Sequence, residues 1–468
     1  MGGIRFSFDK DAGTLRIWGE GEMFENEWKE TWDTVVYLAP WEPDKPYIRR
    51  IVVEEGVTSI SRGAFSGCML AESVSIPRSV RSIGSDAFTG CASLRSIDIP
   101  EGAQLKDLFL RCLSLEEINV IGSNPYCRSE DGVLFSRDGE LLRYPPGRKG
   151  DVYRIPDGTK VMKSIPFLDV KHLKHLILPE GITCRYPVTN RIPEVTIPAS
   201  MTEIRNVPVP LKAYHVSEGN KAFKAVDGLL YSRDGKILLK CPLRWERTVF
   251  DVPDDLEEIP GSGPTEGFRV SESNSRFRAI DGVLFSKDGK TLVSYPERRE
   301  GEIYEIPEGT EKVTGALVGD IRTLIIPDSL DGIYYRDSSL ENILVKGSNE
   351  KLSSRDGVLF SKDGTVLKYY PPNRGSREYT VPDGVRSIGE MAFCWCPDLE
   401  TVNMPESLET VSETAFTGCE NLRMVRLHRM VEIEKAEHYP NVLPDPFPGC
   451  DLLGFVINGE IYRITGED

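Results

Sequence analysis

One phrase recurs along this chain. Ile60–Pro77 reads ISRGAFSGCMLAESVSIP, and the same frame returns 23 residues later at Ile83–Pro100 as IGSDAFTGCASLRSIDIP. It appears again at 388–405, IGEMAFCWCPDLETVNMP, and more loosely at 411–427. Self-similarity at so short a period constrains folding more than any other property of the sequence. One such unit cannot bury both of its apolar sides, so units must stack and share a core.

From Ile48 onward an L-x-x-I-x-I-like segment, usually followed by Pro, marks about 17 candidate rungs, their last apolar residues running from Val53, Ile76 and Ile99 to Ile457. Most spacings fall in two classes, 18 to 23 and 35 or 36 residues, with 30 before Ile457 around the loop Pro440–Pro448. In the short class Leu94, Ile97 and Ile99 point inward from a short strand. The following Pro ends the strand because it has no N–H for a continuing ladder. Val80, Ile83 and an Ala-Phe-x-x-Cys turn close the coil, a turn missing from the units around LKHLILPE, IPEVTIPA and LKAYHVSE. The long class carries an insert that itself repeats: 131–145, 227–242, 281–296 and 356–371, as in DGVLFSKDGKTLVSYP. Two β-prone runs around Asp-Gly predict four β-hairpins.

The ends differ from the repeat. Residues 1–47, with alternating segments Ile4–Phe8 and Leu15–Trp18, predict a hairpin and an N-terminal β cap over the first rung. DKDAGT there is similar to a calcium loop, but Thr14 stands where the EF-hand turn needs Gly. Residues 446–468 read as the last rung and a C-terminal cap, leaving 48–445 as the solenoid. The fold class predicted is a β-rich α/β solenoid with four inserted hairpins and two caps.

Net charge is −16, the wrong sign for a nucleic-acid binder. No apolar run approaches the roughly 18 residues of a membrane helix. MGGIRFSFD has neither a basic nor an apolar leader region, so two locations stay open: cytoplasmic, or secreted or cell-surface if a leader has been removed. Cys68, Cys91, Cys112, Cys396, Cys419 and Cys450 hold the same place in their repeats beside Phe and Leu, the setting of a buried small hydrophobe.

No catalytic constellation is present: there is no Walker loop, HExxH, GxSxG or CxxC pair. GSGPTEG at 261–267 has irregular glycines and reads as a loop. Cys394 beside the repeat cysteine Cys396 lacks four-ligand metal spacing. His172, His175, His215, His428 and His438 form no recognisable ligand pattern, and the pairs Glu54-Glu55 and Asp254-Asp255 fall in turns expected to be solvated. A non-catalytic protein without cofactor or metal is predicted.

The VTSIxxxAFxGCxxLxSIxIP unit at 57–77 and 80–100, the DGVLFSxDGxxLxxYP insert, and the opening FSFDKDAGTLRIWGEGEM with Pro40-Trp41 resemble the BspA-like leucine-rich repeat family over nearly the whole chain. That resemblance implies a leucine-rich repeat stack, and bacterial or protist surface proteins, some binding host matrix proteins such as fibronectin or acting in adhesion and coaggregation. The function expected is therefore non-catalytic binding of a protein or glycan partner; the alternative is an intracellular scaffold.

Two surfaces follow from the register. The outward strand positions include apolar Ile177, Ile325 and Leu344, where solvent is expected. Basic residues follow each insert: Arg148 and Lys149, Arg244 and Arg247, Arg298 and Arg299, Arg374 and Arg377. They predict a basic edge for acidic glycans or acidic protein patches.

Overall fold

The computed structural model describes residues 3–463 apart from 24–26, 32–33, 108, 163–164, 185–191, 261, 264, 316, 318, 334–338, 436–453 and 458–459. The chain divides into two compact units, Met1–Trp245 and Glu246–Asp468. Each unit is a β-solenoid stack, with about 16 turns counted over both.

In the first unit the hairpin Arg5–Asp9 with Thr14–Trp18 opens the stack. Its second strand runs parallel to Arg50–Val53, and that to Ser73–Ser75. Ser96–Ile99 and Glu117–Val120 pair in the same way. After the first insert Val152–Arg154, His175–Ile177, Glu194–Ile197 and Ala213–Val216 form a second parallel run. A narrower sheet on the return side joins Gly21–Glu22, Val57–Ile60, Ser82–Ile83 and Gln104–Leu105. The second unit repeats the plan, with Ile303–Glu305, Thr323–Ile326 and Asn342–Val345, then Glu378–Thr380, Thr401–Asn403, Met424–Leu427 and Gly454–Ile457. Parallel pairing follows because every rung enters from the same side after one full coil.

Alternation along each strand sets the core. Ser96–Ile99 reads exposed, buried, exposed, buried, so Ile97 and Ile99 face inward and Asp98 outward. Ile97 lies in register with Ile118 of the next rung. On the return side aromatic rings form a column: Trp41, Phe65, Phe88 and Phe109, with successive centroids 5.6, 5.4 and 6.1 Å apart. Tyr370, Phe393 and Phe416 repeat it in the second unit at 5.1 and 5.0 Å. Each fully buried ring or aliphatic chain contributes about 1.5–3 kcal/mol before conformational entropy is set against it.

The α component expected of an α/β solenoid is missing. Among the described residues helical structure is confined to short 3-10 stretches, Glu42–Tyr47 and Ile204–Asn206. Each return limb makes single turns only: Cys68 N–H donates to Phe65 O, and Ala71 N–H to Cys68 O. Gly67, at φ 78°, breaks the turn in a left-handed conformation. A helix must propagate well beyond one turn to offset its nucleation cost, and these limbs stop first.

The four inserts are three-stranded antiparallel meanders, a strand more than the expected hairpins. Cys127–Glu130, Val133–Ser136 and Glu140–Arg143 form the first. The others are Phe223–Val226, Leu229–Ser232 and Leu238–Lys240; Phe277–Ile280, Val283–Ser286 and Thr291–Pro296; Leu352–Arg355, Val358–Ser361 and Val366–Tyr369. The extra strand precedes the first Asp-Gly, which is itself a turn: Asp131 and Gly132 sit at φ 49° and 71°, and Asp227, Asp281 and Asp356 repeat this. Two successive left-handed residues are what a type I′ hairpin turn requires. In the first, third and fourth meanders the last strand continues into the return sheet, pairing parallel with Val161–Met162, Lys312–Val313 and Ser387–Ile388. These inserts are thus built into the solenoid wall.

Of the expected caps, residues 24–26, 32–33, 446–453, 458–459 and 464–468 lie outside the described residues, as do Cys450, His438 and the loop Pro440–Pro448. Glu460–Arg463 pairs antiparallel with Gly454–Ile457.

Candidate functional site

The inserts are tied to their rungs by asparagines that sequence reasoning missed. Asn124, Asn220, Asn274 and Asn349 are all buried, each seven residues before an Asp-Gly turn. Asn349 Nδ2 donates to Pro327 O at 2.8 Å and Leu330 O at 2.9 Å, and its Oδ1 accepts from Lys351 N at 2.9 Å and Leu352 N at 2.7 Å. Asn124 and Asn220 make the same four contacts. The amide is the one short side chain offering two donors and two acceptor lone pairs at once, so it joins the preceding rung's Pro turn to the insert. The fixed spacing before Asp-Gly was the available signal.

Several cations of the expected basic edge are engaged within the fold. Arg148, Arg299 and Arg374 each donate to the carbonyl of the turn aspartate in their insert: Asp131, Asp281 and Asp356. In the second insert Trp245 Nε1 makes that bond to Asp227 O at 2.9 Å. Arg299 also pairs with the Asp281 carboxylate and lies over the Tyr304 ring. Arg298 donates to Arg247 O at 2.8 Å, and Arg377 pairs with Glu400 at 3.2 Å. Lys149, Arg244 and Arg247 are exposed. The acidic turns expected to be merely solvated also have partners: Glu54 with Arg16 at 3.1 Å, Glu55 with Arg78 N at 3.1 Å and Asp254 with Ser273 Oγ at 2.8 Å.

The apolar candidates are carried by the outward strand face. Ile325 and Leu344 are in-register neighbours on adjacent rungs. Leu344 is 48% exposed; on the preceding rung Glu305 is opposite Ile325, and Ile303, two pairs along and opposite Thr323, is 67% exposed. Ile177 belongs to the first unit, half-buried between Arg154 and Thr196. Elsewhere this face is laced by polar bonds between rungs, including Asn119 to Asp98 at 3.1 Å and Arg269 to Asp251 at 2.9 Å.

On the three rungs that follow Arg154 the outward face of the first unit gathers His175, Glu194 and His215, although the five histidines share no spacing in sequence. His175 and Glu194 are register partners, and His215 lies opposite Thr196 on the next strand. His215 Nε2 is 3.0 Å and His175 Nδ1 3.8 Å from the same Glu194 Oε2. The imidazoles are 4.9 Å apart, and His175 Nε2 is 2.7 Å from Thr196 Oγ1. Burial, then the neighbouring His215, push the His175 pKa down against the pull of Glu194. His172 is exposed and outside the group.

Among the described residues the repeat cysteines Cys68, Cys91, Cys112, Cys396 and Cys419 are buried. Cys91 Sγ lies 3.3 Å from Phe65 O, Cys112 Sγ 3.1 Å from Phe88 O and Cys419 Sγ 2.8 Å from Phe393 O, each a bond to the preceding rung. Burial pushes the thiols of Cys68, Cys112 and Cys184 up to about 12. Thiols held this far above neutrality are poor nucleophiles.

The family model for the BspA type leucine-rich repeat region matches in six copies over residues 44–130 and 373–440. Those two stretches are leucine-rich repeats of the BspA type. Three meanders and the rungs without the Ala-Phe turn lie in the middle of the chain, between the two matched stretches. Leucine-rich repeat proteins are generally non-catalytic. No curated protein matches the sequence. Among solved structures, the chain is similar to a leucine-rich cell surface protein from Faecalibacterium prausnitzii, at 16% identity over 94% of this chain and 95% of that one, with a TM-score of 0.25. It is similar to the pneumococcal vaccine antigen PcpA at 13% identity over 97% and 91%, TM-score 0.24. A leucine-rich repeat protein from Bacteroides ovatus gives 17% identity over 97% and 98%, TM-score 0.22. Likeness at this level carries no functional conclusion. Among the described residues no helix is long and apolar enough to cross a membrane.

Proposed function

We propose that this leucine-rich repeat protein is a non-catalytic binding module for a protein partner, acting in adhesion or another interaction at a cell surface. The observation that carries the reading is the outward apolar pair Ile325 and Leu344, in register on adjacent rungs, with Ile303 exposed diagonally on the rung before. Elsewhere outward strand positions carry polar pairs bonded across rungs, such as Asn119 with Asp98 and Arg269 with Asp251, so an apolar patch there is a contact surface in want of a cover. A protein partner fits better than an acidic glycan, because Arg148, Arg299 and Arg374 are bonded within the fold and an anionic chain would find few cations in a row.

The test is binding of the purified chain to immobilised extracellular-matrix proteins, fibronectin included, and to heparin, at low and high salt. Binding to a matrix protein that is abolished in Ile325→Asp/Leu344→Asp but retained in Lys149→Ala/Arg244→Ala/Arg247→Ala supports the reading. Binding to heparin that disappears with salt and with the basic variant, while the apolar variant still binds, overturns it.

A further inference from the structure

We infer that His175, Glu194 and His215 form a binding site for one divalent transition-metal ion of the zinc class. Three potential ligand atoms from three consecutive rungs lie within 4.8 Å of one another. A tetrahedral zinc ion with bonds of about 2.0–2.1 Å needs ligand atoms roughly 3.3–3.4 Å apart. The two edges that meet at Glu194 Oε2 are 3.0 Å to His215 Nε2 and 3.8 Å to His175 Nδ1. They bracket that value, and the third edge, between the two imidazole nitrogens, lies within 4.8 Å and closes by rotation of the half-exposed His215 side chain.

The surroundings complete the coordination chemistry. His175 has its Nε2 2.7 Å from Thr196 Oγ1. An Nε2–H donated to that hydroxyl leaves the lone pair on Nδ1, the nitrogen facing Glu194. Metal-bound imidazoles are held in this way by a bond from their other nitrogen. Two imidazoles and a carboxylate suit zinc, cobalt, nickel or copper, and offer too few oxygens for calcium or magnesium. His215 is half exposed, so a fourth position is left on the solvent side for water. The rigid parallel register of His175–Ile177, Glu194–Ile197 and Ala213–Val216 holds the three ligands without ordering a loop.

The experiment is titration of the EDTA-treated, untagged full chain with Co2+, followed by visible d–d absorption and competition with Zn2+. One tetrahedral cobalt per chain, displaced by zinc, is expected. His175→Ala, His215→Ala and Glu194→Gln should each weaken binding at least about tenfold, and Thr196→Val by about tenfold, as loss of an orienting partner does. His172→Ala should bind as wild type. All five positions face outward from the strands or turns, and unchanged circular dichroism would verify that the variants fold. No saturable cobalt binding, or binding unchanged in His175→Ala/His215→Ala, would overturn the site and leave a hydrogen-bonded cluster only.

Discussion

Replacing Asn349 with alanine removes four hydrogen bonds from a side chain that is 1% exposed. Two carbonyls, Pro327 and Leu330, lose their donor, and the amides of Lys351 and Leu352 lose their acceptor. At about 1 kcal/mol net per bond the loss is about 4 kcal/mol. A water admitted to the vacated space would restore part of it, so about 2–4 kcal/mol is expected. Because repeat stacks open unit by unit, native-state hydrogen exchange of the strand Leu352–Arg355 is the right assay. Every 1.4 kcal/mol is tenfold, so protection there should fall roughly 30- to 1,000-fold. Amides of Phe277–Ile280, whose meander is held by Asn274, should change little. Asn349→Asp keeps an acceptor but turns an oxygen toward two carbonyls, so it should match alanine at neutral pH. A fall of less than threefold, or an equal fall at Phe277–Ile280, would refute the joint.

Three further outcomes test the fold. Ile97→Ala, in the core beside Ile118, should lose about 2–5 kcal/mol in urea unfolding; a loss below about 0.5 kcal/mol would mean the inward face is misassigned. At pH 8, iodoacetamide should leave Cys68, Cys112 and Cys184 unlabelled in the native protein and label them in urea, since burial holds each at about 12; native labelling mapped by mass spectrometry would contradict that. Asp363 is pulled down to about 2 by donors from Ser361 and Thr365. A depressed carboxyl stabilises the fold above its unfolded pKa, near 3.9, and that contribution is lost as pH falls towards about 2. NMR titration of the Asp363 carboxyl should show this, and Ser361→Ala should raise its midpoint.

Much of this architecture was legible before any coordinates. The period of apolar residues marked the rungs, because a strand that buries alternate residues and ends at Pro leaves the same print wherever it recurs, as Ile76 and Ile99 do. The Asp-Gly pairs marked the inserts, because only residues tolerant of positive φ close a tight hairpin. The extra, leading strand of the meanders was harder to see: Cys127–Glu130 and Leu352–Arg355 carry polar residues on their outer positions and lack a β-rich signature.

What the tertiary structure alone decided is which side chains meet across rungs. His175 and His215 are forty residues apart in sequence and become neighbours only because two short coils bring their strands into parallel register around Glu194. The same register turned part of an apparently basic edge into internal ties: Arg148, Arg299 and Arg374 reach back to turn carbonyls that only the folded meander presents. A repeat period sets how often a strand returns. Whether an outward residue lands beside a ligand partner, a carbonyl or solvent depends on the length and path of each return limb, which no local pattern records.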